Sequence, residues 1–334
     1  MEWQEPTLAD VFDARRRIAP FLHPTALACY PALDRSVGAE VFVKHENHQP
    51  VGAFKVRGGI NLLSQLSADE RSRGVITAST GNHGQSIAYA ARLFGIKATI
   101  CLPERANPVK VAALRGLGAA LVQHGRDFDE AREHCERLAR QHGYRYVHSG
   151  NEPLLIAGVA TETLEILEEQ PRINVIIVPV GGGSGAAGAC IVAKSVSPAI
   201  KVIAVQSQAA PAAYRSWREH RLTEADNDTF AEGLATGTAF ELPQRIMRRL
   251  LDDFILVSDD EIRAAQALLI ETTRNLAEAA GAASLAAALR IREQLSGSQV
   301  ALILSGGNAS RAELLAALRT EPAGEQAAGE PTAD

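Results

Sequence analysis

Four stretches of this sequence concentrate residues that can do chemistry. The first is Gly181, Gly182, Gly183, Ser184 and Gly185, directly after the apolar run 174–180. A strand that runs into glycines and then into a helix leaves backbone N–H groups free at a helix N-terminus, where they can hold a phosphate. The plainer reading is a tight strand–helix turn. Residues 183–188 also fit the spacing GxGxxG of dinucleotide sites, which want an acid about 20 residues on, closing the next strand. Here the next apolar run, 201–205, is followed by Gln206, Ser207 and Gln208. The acid is missing, which argues against a nicotinamide cofactor.

The second stretch carries Lys55, preceded by Ala53 and Phe54 and followed closely by Gly58 and Gly59. The chain has only six lysines among its 34 Lys and Arg residues, so lysine is not its default cation. A desolvated lysine loses proton affinity and can serve as a Schiff-base nucleophile and then as a base. Alone, Lys55 reads first as an ordinary surface lysine near a helix start. The third stretch is Ser79, Thr80, Gly81, Asn82 and His83, whose N–H groups and short polar side chains could receive a carboxylate. His83 by itself reads as a hydrogen-bonded turn histidine or as a catalyst. The fourth is Ser305, which ends the apolar run 300–304 and is either a helix cap or a hydroxyl pointed at a ligand on the sheet's carboxyl edge.

Elements of alternating type must position these residues. Short β-branched runs over 40–44, 74–77, 98–102, 120–123, 145–147, 174–180, 201–206 and 300–304 read as strands. Between them, 58–65, 84–94, 108–117, 128–142, 156–169, 184–195 and 259–275 read as helices. Such alternation predicts an α/β protein with mainly parallel sheets flanked by helices. The strands between about 74 and 147 suit a small domain, 69–146. Residues 1–68 and 147–319 would form a larger, discontinuous one, and 320–334, rich in Ala, Gly, Glu and Pro, is expected to be a disordered tail.

Composition sets bounds. At 334 residues the chain is long enough for two cores, and 46% hydrophobic against 22% charged residues is an ordinary globular balance. A net charge of −5 gives no electrostatic reason to expect nucleic acid or an anionic membrane. Cys29, Cys101, Cys135 and Cys190 are scattered without metal-ligand spacing and read as reduced thiols. No stretch looks like a signal peptide or a membrane span, so a cytoplasmic protein is expected.

Taken together, in this order and at these intervals, the four stretches resemble the fold type II pyridoxal 5′-phosphate enzymes, in the serine/threonine dehydratase and serine racemase branch. The resemblance runs from Pro6 to Asn308. It implies two domains of the tryptophan synthase β-like kind, a bound pyridoxal 5′-phosphate, an amino acid substrate and a homodimer. It makes Lys55 the Schiff-base lysine and places Phe54 beside the cofactor, with Asn82 on its 3′-oxygen. Gly181, Gly182, Gly183, Ser184 and Gly185 would hold its phosphate, Ser305 would face the pyridine nitrogen, and Ser79, Thr80, Gly81, Asn82 and His83 would take the substrate carboxylate. The implied activity is β-elimination: Lys55 removes the Cα proton of a β-hydroxy amino acid, such as L-threonine or L-serine, which ends as a 2-oxo acid and ammonia. A neutral hydroxyl at Ser305 would favour this outcome over transamination.

Departures qualify the resemblance. Racemases of the branch carry a serine, and many dehydratases an alanine, where this chain has Thr80; a catalytic Thr80 would allow a racemase as the alternative. Gln206, Pro211 and Ala212 stand where racemase-type metal sites use carboxylates, so no metal is expected. Residues Ala157, Gly158, Val159, Ala160 and Thr161 replace the usual Gly-Gln-Gly-Thr phrase. Glu278 matches a family acid near the cofactor, or is a helix-cap or interhelix acid. The pocket for the β-substituent could include residues 230–240, and feedback through a C-terminal regulatory domain is not expected. Threonine, serine, a bulkier β-aryl serine and β-hydroxyaspartate all remain candidate substrates.

Overall fold

A computed structural model describes residues 3–79, 81–106, 108–126 and 128–320. The expected catalytic residue Thr80 lies outside them, as do positions 321–334 of the expected tail. Ten strands occur among the described residues: β1 (Leu27–Cys29), β2 (Glu40–His45), β3 (Val75–Ala78), β4 (Ala98–Leu102), β5 (Ala120–Gln123), β6 (Arg145–Tyr146), β7 (Val175–Pro179), β8 (Lys201–Ser207), β9 (Asp253–Val257) and β10 (Gln299–Leu304). They form a six-stranded sheet ordered β1-β2-β10-β7-β8-β9 and a four-stranded sheet ordered β5-β4-β3-β6. Every pairing is parallel except β1 with β2. Parallel strands need helical crossovers, and those helices bury both sheet faces.

The larger sheet shows why its central strands are apolar throughout. Along β7, Val175 and Ile177 enter the core on one face, while Ile176 and Val178 enter the core on the other. On β10, Val300, Leu302 and Leu304 alternate in the same way with Ala301 and Ile303. Each such fully buried Val, Ile or Leu contributes roughly 1.5–3 kcal/mol against leaving it in water.

Three helices, Lys55–Leu63, Asn82–Phe94 and Pro153–Glu169, link the two sheets through glycine crossings. A Cβ on Gly158 would lie 2.7 Å from the Gly58 Cα, and one on Gly58 would lie 2.9 Å from the Leu155 carbonyl oxygen. Only hydrogen fits between backbones this close. Arg57 and Lys55, on the same helix, are thereby set against Pro153–Glu169. No described helix is long and apolar enough to cross a membrane.

Candidate active site

Lys55 is the first residue of its helix, three positions earlier than the sequence suggested. Its ammonium nitrogen donates to Ser184 Oγ at 2.7 Å and sits 4.9 Å from the centre of the Phe54 ring. Burial lowers its pKa to about 8, while the charge of Glu162 works the other way. The surface-lysine alternative therefore fails.

Ser184 opens the helix Ser184–Val196, and Gly183 before it has φ of +87°, a left-handed conformation that suits glycine. The first hydrogen bond of that helix runs from Ala187 N to Gly183 O at 2.9 Å. The N–H groups ahead of it are left for an outside acceptor, at the positive end of the helix dipole. The loop is closely backed: a Cβ on Gly181 would overlap the Gly233 carbonyl, and one on Gly182 would overlap the Phe240 ring. Residues 230–240, expected at the substrate pocket, thus also support the glycine loop.

Ser305 follows β10 and is 5% exposed. Its carbonyl accepts from Phe54 N at 3.0 Å, which fixes Phe54 against the sheet edge. Its hydroxyl makes no hydrogen bond among the described residues.

The turn at 79–83 is organised from inside. Ser79 Oγ accepts from Gly81 N at 3.2 Å and Gly84 N at 2.9 Å, so this buried hydroxyl shapes the turn and takes up two of its donors. Thr77 Oγ1 donates to Val147 O at 2.7 Å; its one proton is therefore committed, and His83 Nε2, 3.0 Å away, must be the donor to Thr77. His83 is a neutral imidazole with Nδ1 as its acceptor. Burial first, then the charges of Lys55 and His148, push its pKa down to about 3. His148, half-buried, is lowered to about 4, mainly by desolvation, and accepts from Gly150 N and Asn151 N, both at 3.0 Å.

Asn82 joins the two sheets. Its Nδ2 donates to Glu278 Oε1 at 2.6 Å, and its Oδ1 accepts from Asn308 Nδ2 at 2.8 Å. One Nδ2 hydrogen remains for a ligand. Glu278 occupies the N-cap position of the helix Ala279–Arg290 but makes no side-chain cap bond, which removes the helix-cap alternative. Burial raises its pKa to about 7, against the opposing effect of Asn82.

A buried charge network, missed in the sequence, lies behind Lys55. Arg57 binds Glu46 through two contacts of 2.7 Å and Glu165 through contacts of 2.6 and 2.8 Å. Lys44 Nζ completes the network at 2.6 Å from Glu165 Oε2. Burial opposes ionisation of Glu46, yet the charge and hydrogen bonds of Arg57 hold its pKa below the usual value. The only sequence signal was the number of charged residues bracketing Lys55.

A family model described as pyridoxal-phosphate dependent enzyme matches residues 18–306. The chain is 40% identical over 303 residues to the L-threonine ammonia-lyase of Thermotoga maritima, covering 90% of this chain and 75% of that one. It is 37% identical over 304 residues to the L-threo-3-hydroxyaspartate ammonia-lyase of Saccharomyces cerevisiae, covering 91% and 93%. Among solved structures, serine racemase from Dictyostelium discoideum superposes with a TM-score of 0.86 at 35% identity, covering 91% of this chain and 99% of that one. The two-sheet fold, the glycine loop and these matches together make the chain a member of the fold type II pyridoxal-phosphate dependent enzymes.

Proposed function

We propose that this enzyme catalyses β-elimination of a β-hydroxy amino acid, with L-threonine and L-serine as first candidates, yielding a 2-oxo acid and ammonia. The observation that carries the reading is the Lys55 amine 2.7 Å from Ser184, at the mouth of the helix whose free N–H groups are walled in by Gly233 and Phe240.

The residues present fit the cofactor. Gly181, Gly182, Gly183, Ser184 and Gly185 offer N–H donors to a phosphate, the Ser305 hydroxyl is without a partner, and Asn82 keeps one free N–H. When bound, pyridoxal 5′-phosphate supplies an electron sink for the carbanion formed at Cα. Lys55 would hold the cofactor, and its free amine is the base placed to remove the Cα proton; burial keeps a useful share of that amine neutral near pH 8. Phe54 would pack at the ring of the bound group, and Ser305 would offer a neutral hydroxyl to its nitrogen. The turn holds the substrate carboxylate through its remaining N–H groups, those of Asn82 and His83 included, with Thr80 and Gly81 in the same turn and Ser79 bracing it. Loss of the β-hydroxyl as water leaves an enamine, which takes up water and releases ammonia and the 2-oxo acid. We treat 69–146 as the small domain bearing this turn. The homodimer and the cytoplasmic setting belong to this reading through the family resemblance alone.

Racemisation is the second reading, supported by the 35% identity to a serine racemase. It needs a proton carrier on the opposite face of the substrate, the work assigned to Thr80. The test is a release assay for ammonia and 2-oxo acid across L-threonine, L-serine, β-aryl serines and threo-3-hydroxyaspartate, with chiral analysis of unreacted amino acid. Keto acid formation with retained configuration is expected; D-amino acid without ammonia would replace elimination by racemisation.

A further inference from the structure

One buried acid near the site is not used by the chemistry above. Glu162 lies on the helix Pro153–Glu169, is 1% exposed, and its Oε2 has no hydrogen-bond partner. The helix crossings fix its surroundings. Gly158, one turn earlier, touches the backbone of Arg57 and Gly58, and Thr161 Oγ1 lies 3.1 Å from Arg57 Nη1. Ala160 meets Gly188 on the helix that begins at Ser184. Glu162 therefore sits at the junction of the helix bearing Lys55 and the helix bearing its partner Ser184.

The charges facing this junction come from each packed element. Lys44 and Glu46 arrive on β2 and the turn after it, Arg57 and Lys55 on the helix Lys55–Leu63, and Glu165 on the same helix as Glu162. His83, on Asn82–Phe94, is near Lys55 and neutral. Lys44 and Arg57 are balanced by Glu46 and Glu165 through the contacts described above. That network is neutral by itself, so the attraction of Arg57 and Lys44 for Glu162 is offset by Glu46 and Glu165, and among the described residues Lys55 is the remaining cation coupled to it.

An isolated carboxylate in such a place is strongly disfavoured, and so is an isolated ammonium. Two arrangements of one proton keep the interior neutral. In the first, Lys55 is an ammonium and Glu162 a carboxylate. In the second, the Lys55 nitrogen is uncharged and Glu162 is a carboxylic acid. Burial, followed by the charge of Glu46, drives the Glu162 pKa well above that of an ordinary glutamate, as the second arrangement requires.

We propose that Glu162 is a positioning residue that shares one proton with Lys55 through the coupling of their charges, being protonated while the lysine nitrogen is committed to the cofactor and ionised when the free amine becomes an ammonium. The two groups make no direct hydrogen bond, so each exchanges its own proton with solvent, and nothing else is consumed. This rests on Lys55 as the attachment point.

Two measurements test it. The infrared difference spectrum of cofactor-loaded minus cofactor-free wild-type protein should gain a protonated-carboxyl C=O band, which Glu162→Gln removes. In cofactor-free protein, the pH midpoint for reductive methylation of Lys55 should fall by about one unit in Glu162→Gln and in Glu162→Leu, because an opposite charge near an amine raises its pKa by about that much. A wild-type difference spectrum without the band overturns the proposal even if neither variant folds. So does a band that survives Glu162→Gln, or an unmoved midpoint in a folded variant. Mass mapping of the loaded protein separates the two layers: cofactor on another lysine would defeat the attachment assignment itself, whereas cofactor on Lys55 with no carboxyl band would defeat only the shared proton.

Discussion

The Lys55 amine donates across 2.7 Å to the hydroxyl of Ser184, the residue that opens the helix after the glycine loop. Under the proposed reading this contact joins the Schiff-base lysine to the helix end that would hold the phosphate, although the two residues are 129 positions apart in the chain. Replacing Lys55 should therefore remove attachment and proton transfer together. Lys55→Ala is expected to lose the absorbance of bound cofactor and at least about 10³-fold in elimination rate, since a positioned acid–base group alone contributes on the order of 10²–10⁴. Spectra and ammonia release with L-threonine check both.

Gly182→Ala should weaken the cofactor site with little effect elsewhere. The added methyl overlaps the Phe240 ring, so either the ring or the loop must move. Overpacking of this kind costs about 1–3 kcal/mol. A drop in Tm with at least a tenfold weaker cofactor Kd is expected. The double variant Gly182→Ala, Phe240→Ala should recover part of the affinity.

Breaking the buried network should damage stability more than chemistry. Arg57→Met leaves Glu46 and Glu165 without their main counter-charge, and such uncompensated burial costs about 3–5 kcal/mol. Urea unfolding should show a loss of this size.

Much of the fold was legible because its central strands are buried on both faces. The runs at 174–180 and 300–304 are apolar without interruption, as a parallel interior strand requires. The edge strands β1 and β9 were missed: β1 has three residues and none is buried, and the apolar run 254–257 of β9 is only four residues long, half of it partly exposed, between acidic segments. The helix holding Lys55 was read as starting at Gly58, because glycines look like an interruption until the neighbouring helix that needs them is known. The Ser79 hydroxyl, expected among the substrate ligands, accepts from Gly81 N and Gly84 N, a local turn role that the sequence did not announce. Pairings such as Arg57 with Glu165, 108 residues apart, leave no local trace. Glu162 did leave one: it is the charged residue within the otherwise uncharged stretch 153–164.

Acid should destabilise the protein through its histidines. His83 and His148 have folded pKa values of about 3 and about 4, below the ordinary 6.5, so the folded state binds fewer protons than the unfolded chain in between. Their full contribution is present above pH 6.5 and is lost as pH falls toward 4, by about 1.4 kcal/mol per pH unit for each imidazole. Tm measured from pH 7 to pH 4 should fall, and His83→Asn should flatten the slope.

Ser305→Asp should redirect the reaction. A carboxylate facing the ring nitrogen favours its protonated form and prolongs the carbanion, giving time for transamination. A rise in pyridoxamine 5′-phosphate formed per turnover, measured chromatographically, is expected; an unchanged ratio would leave Ser305 without influence on the ring.

The most direct test is borohydride reduction of the cofactor-loaded protein followed by peptide mass mapping. The expected result is one covalent cofactor, on Lys55 alone among the six lysines. Label on Lys44, Lys97, Lys110, Lys194 or Lys201, or none on any lysine, would contradict it.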